Sequence, residues 1–160
     1  MMLKKSAFYI FAVLFVFAGQ FLATRGLVTG QPPLIAQTTL SNRNPMPLVA
    51  KGPALIYFWA EWCGVCRGMQ GNISAVLRDI PGITIAVRSG NDRQLAEYLH
   101  KNKLEWTAVN DQDGGISQQY GVQAVPALFF LNGQGHIVFT SAGYTSEWGL
   151  RLRLWLSGLL

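Results

Sequence analysis

The chain has 160 residues, half of them hydrophobic, and a formal charge of +5, which suits one globular domain with an additional terminal segment. Its basic side chains are scattered with no block of like charge, so a nucleic-acid interface is not supported. Only two cysteines are present, and His100 and His136 do not stand at ligand spacing from them or from each other; this excludes a disulfide-stapled scaffold and a four-ligand zinc site, and no metal or cofactor is expected.

In chain order, Lys4 and Lys5 precede an apolar run from Ala7 to Ala18 that continues to Ala23, and Arg25 follows. As a helix, Ser6 to Ala23 would cover roughly 27 Å, close to the hydrocarbon thickness of a bilayer. The lysines before it predict a cytoplasmic N-terminus with the rest of the chain outside. A cleaved signal peptide competes, because Val16 and Ala18 form a small-residue cleavage pattern. Phe21 and Leu22 carry the apolar stretch past that point, which favours a retained anchor. Both readings export the domain to an oxidising compartment. No cysteine lies in this segment, so a bacterial lipoprotein anchor is excluded. The expected organisation is an anchor (or signal peptide) over 1–25, a Pro- and Gly-rich linker over 26–47, and a folded domain over 48–160.

Within the domain, Ala54 to Ala60 (ALIYFWA) is a continuous apolar run, the pattern of a strand buried on both faces. Gly64 to Asp79 follows with Val65, Met69, Ile73, Val76, Leu77 and Ile80 at helical spacing, and Pro81-Gly82 stops it. Ile83 to Val87 predicts the next strand. Asp92 to Asn102 predicts a helix capped by Asn91 or Asp92. Thr107 to Val109 is a short strand, Gly114 to Tyr120 a short helical segment. Ala127 to Leu131 and His136 to Ser141 form a hairpin through Asn132-Gly133 and Gln134-Gly135. Glu147 to Leu156 is a closing helix with Leu150, Leu154 and Trp155 on its apolar face, and Thr38 to Leu40 begins a short strand. The order βαβαβ(α)ββα predicts an α/β fold whose mixed central sheet has a parallel part and a terminal antiparallel hairpin.

The chemistry centres on Trp62-Cys63-Gly64-Val65-Cys66, at the junction of the buried strand and its helix. Two intervening residues let both sulfurs meet in the first helical turn. Free backbone N–H groups and the helix dipole there favour a thiolate on Cys63. Cys63 is expected to attack a partner's disulfide, and Cys66, one turn inward, to resolve the mixed disulfide. A permanent structural disulfide and a copper(I) site using both sulfurs, with Met69 nearby, are the alternatives. The second element is Val125-Pro126, just before the ALFFL strand. If that bond is cis, the Val125 N–H and C=O turn toward the cysteines and can pair with an extended substrate.

FWAEWCGVC (Phe58 to Cys66) followed by YGVQAVPALFFL (Tyr120 to Leu131) resembles the thioredoxin superfamily. More narrowly, YFWAEWCGVCR (Tyr57 to Arg67), AVRSGND (Ala86 to Asp92), VND (Val109 to Asp111) and GYTSEWGLRLRLW (Gly143 to Trp155) resemble the membrane-anchored thioredoxin-like proteins of the bacterial suppressor of copper sensitivity group. The resemblance implies a thioredoxin-like fold preceded by a transmembrane helix, a cis bond at Pro126 and redox activity at Cys63 and Cys66. It implies a surface of Trp62, Gly64, Val65, Val125 and Pro126 that meets protein thiol and disulfide substrates. It also implies a periplasmic domain anchored in the inner membrane, a membrane electron-transfer reductase as partner, and a link to copper tolerance. Two positions depart from ordinary thioredoxin: Val65 stands where Pro is usual between the cysteines, and Tyr57 replaces the buried acid of the preceding strand. Without that acid, Glu61 and Asp92 are the candidates for the proton relay of Cys66. Arg67 and Arg88 are candidates for favouring the thiolate, although a solvated surface role is the simpler reading.

Overall fold

A computed structural model describes Gly19 and residues 24–160. The expected membrane anchor lies outside the described residues, apart from Gly19, Thr24 and Arg25. No helix among the described residues is long and apolar enough to cross a membrane.

Five strands form one sheet: β1 (Ala54–Trp59), β2 (Gly82–Val87), β3 (Ala108–Asp111), β4 (Ala127–Leu131) and β5 (Ile137–Ala142), in the order β3-β2-β1-β4-β5. The β1–β2 and β2–β3 pairs are parallel; β4 is antiparallel to both β1 and β5. Strand β1 lies at the centre and every one of its residues is buried, which is why its sequence is a continuous apolar run rather than an alternating one. Leu55, Tyr57 and Trp59 face one side and Ala54, Ile56 and Phe58 the other.

Helices cover both faces. On the first lie α2 (Gly64–Leu77), α3 (Asp92–Lys101) and α5 (Glu147–Ser157), contributing Met69, Ile73, Val76, Leu95, Leu99, Leu150 and Leu154. On the second lie α1 (Met46–Val49) and α4 (Gly115–Gln119), with Val49, Ile116 and Tyr120 against the sheet. Asn91 caps α3 in a reciprocal box with Gln94, the arrangement that satisfies two otherwise orphaned N–H groups.

Several expectations shift. Strand β3 runs on to Asp111 instead of ending at Val109: the polar Asn110-Asp111 pair reads as loop, but Asp111 is buried because it accepts the N–H groups that open α4. Val65, expected on the buried stripe of α2, is half exposed beside the cysteines. Trp155, expected to pack inward with Leu150 and Leu154, is 63% exposed. Leu150, Leu154 and Ser157 already form the inward stripe at i, i+4 and i+7, and a residue one position beyond Leu154 is turned about 100° away from it.

The segment expected as a linker also does more than connect. Helix α1 forms where Pro45 and Pro47 suggested irregular chain; the prolines occupy its cap and first turn, where an N–H is not required. Upstream, Ile35 is buried against the second face. Gly30 bridges to Ile137 on one sheet edge, and Thr39 bridges to Val109 on the other. Residues 30–39 therefore cross that face of the domain.

Candidate functional site

Strand β1 ends at Trp59, and the turn Ala60-Glu61-Trp62 delivers the chain to α2. That turn is tied to the end of β2. The buried Ser89 hydroxyl accepts the Glu61 N–H (3.1 Å) and donates to the Val87 carbonyl (3.1 Å). The Trp62 indole N–H donates to the Arg88 carbonyl (3.2 Å), and Arg88 itself adopts a positive φ of 46°. Arg67 closes the turn from the other side by donating to the Glu61 carbonyl (3.0 Å). The indole is thereby anchored at its N–H while Trp62 stays 61% exposed. Trp59, by contrast, is a core residue.

Cys63 is the N-cap of α2, in extended conformation, and its Sγ accepts the Cys66 N–H at 3.1 Å. The two cysteines are joined by a disulfide with their Cα atoms 5.2 Å apart. Cys63 is 7% exposed and Cys66 1%, so an incoming sulfur has access to Cys63 alone. In the reduced form the Cys66 N–H and the unpaired N–H groups of the first turn would stabilise a thiolate at this position.

The Val125–Pro126 bond is cis. The Val125 carbonyl oxygen lies 3.7 Å from Cys63 Sγ, and the Pro126 carbonyl accepts the Gly143 N–H from the end of β5 (2.9 Å). Among the described residues none bonds the Val125 N–H. A groove of about 700 Å³ opens next to this pair, bounded by Trp62, Arg88, Gly114, Gln118, Val122 and Val125. Behind its α4 wall lies Asp111, whose carboxylate accepts the Ile116 N–H (2.9 Å), the Ser117 N–H (2.8 Å) and the Ser117 hydroxyl. In sequence Asp111 stands out only as the end of the VND motif, because its polar neighbours conceal its structural task. At Gly114, with φ of +83°, a Cβ would come 3.0 Å from Arg88 Nε, so the groove wall admits only glycine comfortably there.

The structure thus gathers Cys63, Cys66, Trp62, Gly64, Val65, Val125 and Pro126 at one end of the sheet. The two proposed relay carboxylates are not joined to Cys66 by any hydrogen bond among the described residues. Asp92 is exposed and accepts from the Asn110 side chain (2.8 Å), while Glu61 engages its surroundings through its backbone. Tyr57, in place of an acid, is fully buried in the cluster that contains both cysteines and packs edge-on against Trp106 at 5.9 Å. Burial, reinforced by the nearby Tyr98, pushes its phenol well above the usual tyrosine range, so it stays protonated. Met69 lies in the same buried cluster. No group of three or more His, Cys, Asp or Glu side chains among the described residues is placed to hold a metal ion.

A family model described as the AhpC/TSA family matches residues 38–140. The chain belongs to the AhpC/TSA family. A thioredoxin-like protein of Haemophilus influenzae is 34% identical over 106 residues, covering 66% of this chain and 63% of that one; the chain spans less than two thirds of that relative's length. Among solved structures, a secreted disulfide oxidoreductase of Mycobacterium tuberculosis, homologous to Escherichia coli DsbE, is 27% identical with a TM-score of 0.60, covering 75% of this chain and 93% of that one. The M. tuberculosis protein dsbF, solved in mixed oxidised and reduced forms, is 24% identical with a TM-score of 0.67, covering 79% and 98%. The fold is thioredoxin-like.

Proposed function

We propose that this chain is a thiol–disulfide oxidoreductase acting on protein substrates, with Cys63 as nucleophile and Cys66 as resolving thiol. The observation that carries the reading is the bonded pair at the head of α2: the accessible sulfur is the helix cap, and the Val125 backbone stands 3.7 Å from it. The similarity to a secreted disulfide oxidoreductase supports the reaction class.

In the reduced form the Cys63 thiolate attacks one sulfur of a substrate disulfide. That bond breaks, its other sulfur leaves as a thiolate and takes a proton, and a mixed disulfide remains. Cys66 then loses its proton and attacks Cys63 Sγ, releasing the second substrate thiolate. Two electrons have passed to the substrate, and the Cys63–Cys66 disulfide seen in the structure has formed. During the exchange the substrate segment lies along Val125 as an added strand, with its flanking side chains against Trp62 and Val65. Read in reverse, the same steps oxidise a dithiol; the reduction potential sets the direction.

The finer assignment follows the motif resemblance: a reductant akin to protein D of the suppressor of copper sensitivity group, held by residues 6–23 in the inner membrane of a bacterium, with its catalytic domain in the periplasm. A membrane electron-transfer reductase returns it to the dithiol. The lysine–apolar–arginine pattern of the N-terminal segment supports the topology.

The reaction class is tested by incubating the dithiol protein with insulin or a small aromatic disulfide. Stoichiometric release of thiols, absent in Cys63→Ser, is expected. No exchange by the wild type at protein concentrations where thioredoxin reacts in minutes would refute it. Redox equilibration with glutathione fixes the direction: a pair mostly oxidised in glutathione buffer supports the reductant, a pair mostly reduced the oxidant.

A further inference from the structure

The entry of the chain into the domain lies on the rim of the groove next to the cysteine pair. Gly26 borders that groove together with Trp62 and Val125. It is held closely there: Gly121, with φ of +70°, passes so near that a Cβ on it would sit 1.9 Å from the Gly26 carbonyl oxygen. On either side of Gly26, the Leu27 N–H donates to the Thr24 carbonyl (3.1 Å) and the Val28 N–H to the Tyr120 carbonyl (3.2 Å). Leu27 and Val28 pack on the second core cluster. From there the chain runs away from the cysteines, reaching Gly30 beside Ile137 at the start of β5. The 132–135 turn, which precedes β5, is therefore at the pole opposite the disulfide.

The apolar run ends at Ala23. Two residues, Thr24 and Arg25, separate it from the docked Gly26, three chain steps that span at most about 10 Å even when fully extended. The headgroup layer alone is about 5–8 Å thick, whereas a domain of this size has a radius of gyration near 13 Å. A tether that short, docked at the redox pole, leaves the domain little freedom to roll its cysteines away from the lipid.

We infer that the groove beside Cys63 opens at the bilayer surface, so that the docked tether selects a membrane-embedded partner presenting its reactive thiols at the headgroup level over freely diffusing folded proteins. This rests on the proposed anchoring of residues 6–23; it adds the orientation of the active site and the selection that follows. Trp62 and the Val125 backbone then meet a partner approaching within the membrane plane, and bulky soluble proteins are turned away by the bilayer itself.

The test uses the full chain reconstituted in nanodiscs of phosphatidylethanolamine and phosphatidylglycerol. Spin labels are attached at Gln123→Cys, beside the groove, or Gln134→Cys, at the far pole, in a Cys63→Ser/Cys66→Ser background, and contact with a nickel-chelating lipid is read by power saturation. A photoreactive amino acid at the same two positions, with both native cysteines intact, gives an independent readout by lipid crosslinking. Severalfold greater lipid contact at position 123 than at 134 is expected, abolished by a 20-residue Gly/Ser spacer inserted between Ala23 and Thr24. Equal contact at both positions, or greater contact at 134, overturns the orientation while leaving the anchor intact. Contact at 123 that survives the spacer overturns the role of the docked tether. Chain that fails to stay with the nanodiscs refutes the anchor, and the orientation with it, without touching the thiol-exchange reading, which the insulin assay measures separately.

Discussion

Asp111→Asn tests whether the buried carboxylate holds the α4 wall of the groove. The carboxylate is 1% exposed and accepts three hydrogen bonds, two from the backbone N–H groups of Ile116 and Ser117 and one from the Ser117 hydroxyl. Asparagine keeps the shape but has one acceptor oxygen, and its amide N–H₂ must then face a donor. A hydrogen bond to a buried charged group contributes about 1.5–3 kcal/mol, and placing a like donor against the remaining N–H leaves that group unsatisfied at about 1–3 kcal/mol. The Ser117 hydroxyl can rotate to recover part of this. The net loss expected is about 2–4 kcal/mol, read as a lower urea midpoint at unchanged m-value. Because α4 bounds the groove, exchange with a protein substrate should slow more than exchange with a small aromatic disulfide. A loss below about 0.5 kcal/mol, the range of ordinary surface substitutions, would show that Asp111 does not organise this wall.

Other perturbations separate parts of the account. Leu154→Ala should cost about 2–5 kcal/mol as a buried truncation, while its neighbour Trp155→Ala, at a 63% exposed position, should stay within about 0.5 kcal/mol; thermal melts of the two variants decide whether the helix faces are correctly placed. Glu61→Gln and Asp92→Asn should each leave the insulin-reduction rate within about twofold, since loss of a true general base costs about 10²–10⁴-fold. Tyr57 and Tyr120 are both buried, and burial raises both phenols above their ordinary range. A raised folded value means that the neutral form is favoured on folding, so their contribution is complete below the unfolded value of about 10 and is lost as pH rises past it. Stability should therefore fall above about pH 10 by up to 1.4 kcal/mol per pH unit for each tyrosine. Tyr120→Phe should shallow that fall while removing the 2.8 Å bond to the Pro33 carbonyl; an unchanged alkaline slope would contradict the assignment.

The strand and helix series was legible because each element carries its own period or boundary. Continuous burial of β1 appears as ALIYFWA, the α3 cap as Asn91 with Gln94 three residues on, and the cysteine turn as WCGVC. What could not be read depends on contacts between distant segments. Asp111 resembles a loop residue until α4 supplies its donors. The Pro- and Gly-rich 26–47 stretch has a linker composition, yet Ile35, Gly30 and Thr39 find partners on the sheet that nothing local announces. The geometry of the candidate site was legible at the cysteines and Pro126, whose spacing and flanks place the bonded pair at the head of a helix beside the cis Val125–Pro126 bond. The Ser89 and Arg88 anchors of the Trp62 turn were not, because they act through a hydroxyl and a backbone carbonyl 28 and 26 residues away. In sequence Val65 fits both a helix core position and a substrate contact; its 48% exposure is compatible with the second.

The central claim is that the accessible helix-cap sulfur attacks and the buried one resolves. It is tested most directly by identifying the sulfur that bonds to a captured partner. Cys66→Ser, reduced and mixed with a disulfide-bearing substrate, should accumulate a mixed disulfide that mass spectrometry maps to Cys63, and Cys63→Ser should accumulate none. A stable adduct through Cys66 in the Cys63→Ser protein, formed as fast as the Cys63 adduct in the other variant, would contradict the account.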